Sequence, residues 1–499
     1  MPVHRIPGGD KPRVYARTSE IDAWLRSGAS GPAPSTRDAL EPAAPVVAVL
    51  PFLILAGDKE SEYFGDGLAD DIINALTRIP DLKVMARTSS FAFRGKDRDV
   101  RRIGSQLGAS VLLEGSLRRA GNRIRVSAQL IGTTDGCHLW SETFDREVVD
   151  IFAIQDEIAD AIARALSARL ADRRRARRAP PHMDAWGLWL KGRSTVLTYT
   201  PDAMLRAGEC FQAALRADPS FAQPHLAIAE MVWQATEFGI LPVRLGLAQV
   251  RAETDRALAL DDSLGEAHAL DGVLRGLLDF DWGAAKRSFE RALAENPSSG
   301  EVRRRYAWSY LAPRGNVAEA DHVLDELVRL DPLSPVLLMS SGLLKFSRHD
   351  FAGAAWCFRN ALEFLPSLWW ARYFLGSMTL FAGDTARGLS LCEEALHSHP
   401  GPVADGARAA ISGFAGDPDR ARAILTRLLR ENEATPMSPV AIAWACIGAQ
   451  DDHVFEWLER CVDDREPVIL HFPHMPIYDG LRTDPRFEAL LRRMGLGRN

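Results

Sequence analysis

A chain of 499 residues is too long for one hydrophobic core, so two to four domains are expected. Its apolar share of 46% and charged share of 25% are those of an ordinary soluble protein. The formal charge of −6 is unevenly divided: residues 1–179 hold 27 Lys/Arg against 24 Asp/Glu (+3), the rest 33 against 42 (−9), which argues against wholesale nucleic-acid binding by the second half. No run of eighteen apolar residues is present, the longest greasy stretch (Val46–Ala56) is broken by Pro51, and the N-terminus lacks a basic-then-apolar signal pattern. The expectation is a cytoplasmic protein without a membrane partner. None of the six cysteines forms a CxxC pair, and four of them (Cys210, Cys357, Cys392, Cys446) sit in apolar helical patterns, as isolated core thiols of a reducing compartment do.

In chain order, Val3–Ile6 and Arg13–Ala16 read as a hairpin turning at Pro7-Gly8-Gly9-Asp10, followed by a short helix, Glu20–Arg26. The stretch VHRIPGGDKPRVYARTSEIDAWLRS resembles the wing and last helix of small winged-helix domains of excisionase or MerR type. In that family the recognition helix lies upstream of the wing, so residues 1–28 make only a partial winged-helix-like fragment. Arg5, Lys11 and Arg13 are the residues that would touch DNA phosphates as a wing does. DNA is not expected as a partner unless the chain is truncated at its N-terminus. Residues 29–44, rich in Gly, Pro, Ser and Ala, form a linker.

Residues 45–170 read as an α/β domain with a mixed sheet. Val46–Phe52 is a β-branched apolar run suited to a strand buried on both faces. Glu62–Ile79 carries apolar residues at helical spacing, Leu82–Ala86 is strand-like, Val100–Leu107 a short helix and Ala109–Leu117 a strand. Ala120-Gly121-Asn122 signals a tight turn into the alternating strand Ile124–Ile131, then Cys137–Thr143 adds a strand and Ile151–Leu170 an amphipathic helix. The motifs VAVLPF (47–52), EYFGDGLADDIINALTRIPDLKVMARTSSFAFRGK (62–96), VLLEGSLRRAGNRIRVSAQLI (111–131), HLWSETFDRE (138–147) and DIFAIQDEIADAIA (150–163) resemble the TolB-like amino-terminal domain that precedes TPR arrays in many bacterial proteins. That resemblance implies a fold and an association with TPRs and regulatory heads, including cyclase-type heads, and supplies no catalytic residue. Leu53-Ile54-Leu55 departs from it, replacing a usually polar stretch, and is expected to lengthen the first strand.

Residues 171–182 are a basic and proline-bearing linker with five arginines in six positions. From 183 to 497 the pattern Ala-x3-Phe-x2-Ala-x4-Pro returns in register, as Ala207/Phe211/Ala214/Pro219, Ala285/Phe289/Ala292/Pro297 and Ala354/Phe358/Ala361/Pro366. The stops at Pro297, Pro332, Pro366 and Pro400 are 35, 34 and 34 residues apart, the period of stacked helix–turn–helix repeats of the tetratricopeptide (TPR) kind. Two further helix pairs follow (Val403–Leu429, Val440–Val462), and Leu490, Leu491 and Met494 are expected to cap the last repeat. The fold expected is therefore multidomain, with the α/β domain followed by an all-α superhelical solenoid whose concave face is open to partners.

No phosphate-loop, HExxH or GxSxG motif is present. Gly65-Asp66-Gly67 looks like a phosphate cradle but lies inside the predicted helix, Asp70-Asp71 read as solvent-exposed acids, and His471 and His474 lack a third metal ligand. His397 and His399 suit a helix C-terminus. Glu114 interrupts a buried run and is expected to pair with Arg118 or Arg125, or to lie at a sheet edge. No catalytic residue, cofactor or metal is expected. The concave face is the best site: counting back from each proline gives Arg305 and Ser309, then Met339, Leu343 and Phe346, then Trp370, Tyr373 and Ser377. These point to a non-enzymatic regulatory or scaffold protein binding a protein or peptide, with self-association as a further mode. The alternatives are a transcription regulator with a truncated head and an accessory subunit of a signalling enzyme such as a cyclase.

Overall fold

The computed structural model describes residues 4–6, 13–15, 45–56, 59–79, 82–94, 99–120, 123–147, 151–166, 182–196, 201–237 and 241–497. The chain divides into two compact units, Met1–Ala44 and Pro45–Asn499. In the first, β1 (His4–Ile6) and β2 (Arg13–Tyr15) pair antiparallel with Arg5 opposite Val14 and Ile6 opposite Arg13. Lys11, the expected helix Glu20–Arg26, the linker 29–44 and residues 171–181 of the second linker with its arginine run lie outside the described residues.

The second unit opens with β3 (Val46–Val49), which ends where Pro51 removes a ladder donor. Leu53-Ile54-Leu55 does not extend that strand but forms a separate one, β4 (Leu53–Ala56), pairing further along β6 (Val111–Ala120). Between them in sequence come α1 (Lys59–Leu76), β5 (Lys83–Val84), α2 (Arg87–Phe91) and α3 (Val100–Leu107). The hairpin β7 (Arg123–Gly132) and β8 (His138–Glu147) follows, then α4 (Ile151–Ala165). β3 runs parallel to β5 and β6, while β6, β7 and β8 are antiparallel, so the sheet is mixed, in the order β5-β3-β6-β7-β8. Val47 and Val49 share a core with Leu68 and Ile72 of α1 and Ile158 of α4, whereas Ala48 and Leu50 pack with Ile103 and Leu107 of α3. Both faces of β3 are thus covered, which is why its sequence is continuously apolar. On β7 Ile124, Val126, Ala128 and Leu130 point inward, as their alternation requires, and Ile131 after them is buried as well.

Eight helical hairpins follow: α5 (Met183–Val196) with α6 (Pro201–Ala217), α7 (Ala222–Glu237) with α8 (Val243–Leu260), α9 (Gly265–Leu274) with α10 (Trp282–Glu295), and α11 (Gly300–Tyr306) with α12 (Val317–Leu330). The remaining four are α13 (Pro335–Ser347) with α14 (Phe351–Phe364), α15 (Trp369–Phe381) with α16 (Thr385–His397), α17 (Pro402–Phe414) with α18 (Pro418–Ala434), and α19 (Pro439–Ala449) with α20 (Val454–Asp463). The repeated Ala, Phe and Ala of α6, α10 and α14 are all essentially fully buried, because offsets of four and three bring them onto one face. Asp281, Asp350, Asp384 and Asp417 each cap the second helix of a hairpin by accepting from the amide three residues on. Single π turns, Arg275–Asp279 and Ala307–Leu311, extend α9 and α11.

The array is not an open arc. Two 3₁₀ turns (Pro467–His471 and Pro476–Leu481) and α21 (Pro485–Arg493) carry the chain back to earlier hairpins. Trp282 Nε1 donates to Met494 O at 2.6 Å, Arg465 Nε to Leu278 O at 3.0 Å, and Arg244 Nη2 to Asp464 at 3.0 Å. Leu490 and Met494 therefore do more than cap a last repeat: they are buried in a core that also reaches the third hairpin. The α/β layer belongs to the same core. Ser298 N donates to Thr77 O at 3.1 Å and Ser298 Oγ to Leu82 O at 2.8 Å, Leu333 N to Ser89 Oγ at 3.1 Å, and Lys83 pairs with Glu326 at 3.2 Å.

Candidate ligand cavity

Between these walls lies a central cavity of about 1530 Å³. One wall is built by the first helices of the hairpins, from α7 to α19. The facing wall comes from α1, α2 and α5, and the segment after α20 supplies a third. All eight residues chosen from the repeat register line it: Arg305 and Ser309 on α11 and its π turn, Met339, Leu343 and Phe346 on α13, Trp370, Tyr373 and Ser377 on α15. Arg5 and Arg13 lie in the N-terminal hairpin, a separate unit.

One end of the cavity is charged. Arg305 donates from Nε to Glu301 at 2.6 Å and from Nη2 to Glu230 at 3.1 Å, while Arg304 forks onto Glu301 at 2.7 and 2.9 Å. Burial opposes the ionisation of Glu301, but Arg304 and then Arg305 outweigh it and hold its carboxyl down at about 2. Glu230 and Glu237 fare differently, since burial pushes both carboxyls up in spite of those arginines. Glu230 is 34% exposed, and what it is exposed to is the cavity it lines.

The other end is aromatic. Trp370 stacks on Trp369 at 4.0 Å and on Phe374 at 5.8 Å, and Trp444 Nε1 donates to Tyr478 Oη at 3.1 Å. His471 lies 4.3 Å from Trp308, with His474 edge-on to both rings. Both imidazoles pack on an indole inside the protein, and both nitrogens of His474 and Nδ1 of His471 lack a protein partner. Burial depresses His471 to about 3, and burial, then His471 and Arg482, holds His474 well below the usual range.

A pH dependence follows. The unfolded chain takes up a proton at each histidine near pH 6.5, the folded chain at His471 only near 3. The unfolded state thus binds more protons in that window, so this contribution to stability falls as pH falls. Asp71 and Glu466, each pushed up to about 7 chiefly by burial, act in the opposite sense over pH 4–7. Comparison with His471→Gln isolates the histidine: between pH 7 and pH 5 the wild type should lose about 2 kcal/mol relative to the variant in urea denaturation. Parallel pH profiles would refute it.

The other candidates settle as follows. Asp70 and Asp71 are not solvent-exposed, because α5 covers the polar stripe of α1. Asp70 is 4% exposed and pairs with Arg193 and, at 4.0 Å, with Arg87. Asp71 accepts from Trp186 Nε1 at 3.0 Å and Gln155 Nε2 at 2.8 Å. Gly65 and Gly67 permit close packing rather than cradling an anion. A Cβ on Gly65 would lie 2.8 Å from Phe52 O, and one on Gly67 2.2 Å from Leu190 Cδ1. Glu114 is on an inner strand, accepting from Gln129 directly opposite at 2.6 Å, while Arg125 forks onto Asp145. His399 stacks on Trp369 at 4.6 Å. Among the described residues no group of His, Cys, Asp and Glu could hold a metal, no cysteine is in a disulfide and no helix is long and apolar enough to cross a membrane.

Repeat counting missed the glutamates of α7, Arg304, Trp308 and the whole segment 467–478. The first hairpins carry an insertion that breaks the register, and the last segment belongs to no repeat.

No protein-family model matches the chain. It is 40% identical over 224 residues to "Putative adenylate cyclase 3" of Rhizobium meliloti (strain 1021), an alignment covering 43% of this chain and 38% of that one. The chain thus spans about two fifths of that relative's length. Among solved structures it is similar to a monomeric mutant of IFIT1 with Gppp-AAAA (18% identity, 70% of this chain and 82% of that one, TM-score 0.44). It is also similar to a tetratricopeptide repeat protein from Parabacteroides merdae (15%, 53% and 99%, TM-score 0.33). The architecture rests on the chain's own hairpins and on the period of their sequence register.

Proposed function

We propose that this chain is a non-enzymatic cytoplasmic regulatory or scaffold protein whose TPR array holds another polypeptide in its central cavity. The α/β layer, a TolB-like domain on its motifs, is the second interaction or sensing module and forms one wall of the site. The observation that carries this reading is the state of the cavity lining. Arg305 Nη1, Trp370 Nε1 and Trp189 Nε1 are buried hydrogen-bond donors without a partner in the chain, and each lines the cavity. Unmet donors of this kind cost about 1–3 kcal/mol each, and a rotation of these cavity-lining side chains would present them to a ligand's acceptors. Of the carboxylates nearby, Glu301 and Glu230 are engaged by arginines, Glu237 by Trp233 and Asp71 by Trp186 and Gln155, an arrangement suited to binding rather than to proton transfer.

A photo-crosslinker placed at Leu343, inside the cavity, should capture a polypeptide in cells, and one placed at Trp356, 49% exposed on α14, should not. Equal capture at both positions, or none at Leu343, would count against the reading. A second reading, an accessory subunit of a signalling enzyme, is favoured by the relative named a putative adenylate cyclase. Cyclase activity that co-purifies with the tagged chain would support it; its absence from every captured complex would remove it.

A further inference from the structure

We infer that the polypeptide taken into the cavity is a basic, apolar segment, presenting an arginine or lysine to Glu230 and Glu237 and an apolar side chain to Trp308 and Trp370. This rests on the reading of the cavity as a polypeptide site. Charge is the first argument. Eleven carboxylates line the cavity against six guanidinium groups and no lysine, so an acidic segment or a nucleic acid would enter against the field. Five of the six cations are already engaged, Arg193 and Arg87 by Asp70, Arg304 and Arg305 by Glu301, and Arg244 by Asp464. Glu230 shares only the far nitrogen of Arg305, at 3.1 Å, and Glu237, hydrogen-bonded to Trp233, faces Arg304 and Arg305 without a direct ion pair to either among the described contacts. Burial raises both of these carboxyls, the condition in which an arriving cation restores their charge.

The second argument is independent of charge. The side chain of Arg305 is 8% exposed and its Nη1 has no partner, and the indole N–H of Trp370, a residue also 8% exposed, has none either. These two unmet donors, one on α11 at the charged end and one on α15 at the aromatic end, with α13 between them, suit backbone carbonyls several residues apart on an extended peptide that runs along the cavity. Six of the chain's twelve tryptophans line the cavity, and their faces favour both apolar side chains and cations. Size decides between a peptide and a small amine: about 1530 Å³ exceeds the roughly 300–1,000 Å³ of a small-molecule pocket.

The test is affinity selection of a randomised pool of capped octapeptides on the purified full-length chain, with the retained peptides sequenced by mass spectrometry. Peptides with Lys or Arg beside Leu, Phe or Trp should be enriched at least tenfold over the input. The isosteric double variant Glu230→Gln/Glu237→Gln, checked by its melting curve, should lose the basic preference and keep the apolar one; Glu237→Gln alone should lose part of it. Enrichment of acidic peptides, or a basic preference unchanged in the double variant, overturns the inference and leaves the polypeptide reading standing. Retention of no peptide, with agmatine bound instead, overturns the polypeptide reading itself.

Discussion

Replacing Gly448 with valine should lower the stability of the chain by about 3 kcal/mol or more. A Cβ at this position would lie 2.1 Å from Ala409 O and 2.5 Å from Ala409 C. The contact is reciprocal, since a Cβ on Gly413 would meet Gly448 O at 2.2 Å and one on Gly406 would meet Ala441 O at 2.2 Å. Helices α17 and α19 therefore touch backbone to backbone along two turns, and no flexible side chain is available to give way. Valine can be accommodated only by separating the helices, which uncovers Ala441, Ile442 and Ala445, all at 0% exposure. The separation would also displace Trp444 and Ile411 from the cavity wall. Gly187→Ala is the control, for nothing lies within 4 Å of its added Cβ. There the better helix propensity of alanine should leave stability unchanged or raise it by up to about 1 kcal/mol. Urea denaturation of both variants decides; equal losses would mean that the α17–α19 contact is not close-packed.

What the sequence made legible was whatever depends on local periodicity. The Ala-Phe-Ala register gave the buried faces of α6, α10 and α14, the alternation of Ile124 to Leu130 gave the inner face of β7, and Val100–Leu107 is the helix α3 with both ends as expected. Periodicity states which face of an element is apolar, and it is silent about what covers the other face. Asp70 sits on the polar stripe of α1, where solvent is the default expectation, yet Arg193 meets it from α5, 123 residues later. The histidines of the C-terminal segment carry no periodic signal at all, and Trp308, which they pack against, lies on a π turn that shifts the helical register. Closure of the array was equally hidden. It depends on Trp282 and Met494, 212 residues apart, and no repeat rule links them.

The same interface of α1 with α5 yields the second large effect. Asp70→Ala should cost about 3 kcal/mol, because it strands two guanidinium groups beside a site where water cannot fully replace the carboxylate. Arg87 has 16% of its side chain exposed and Arg193 has 32%, the latter setting the value at the low end of the range for a broken buried pair. Burial already depresses Arg87, with Asp70 the first of the groups opposing it, so loss of Asp70 removes the main support of its charge. Double-mutant analysis separates this from simple loss of packing. Arg193→Met alone should be destabilising, and the combination with Asp70→Ala should cost about 1–3 kcal/mol less than the sum of the two. Hydrogen exchange gives the structural readout, since amides at Ser298 and Leu333 bond to Thr77 O and Ser89 Oγ across the joint between sheet and array. Their protection should fall in Asp70→Ala while that of the α17–α19 contact holds. Strict additivity of the two substitutions, with protection lost evenly through the chain, would show that the pair does not fasten the α/β layer to the helices.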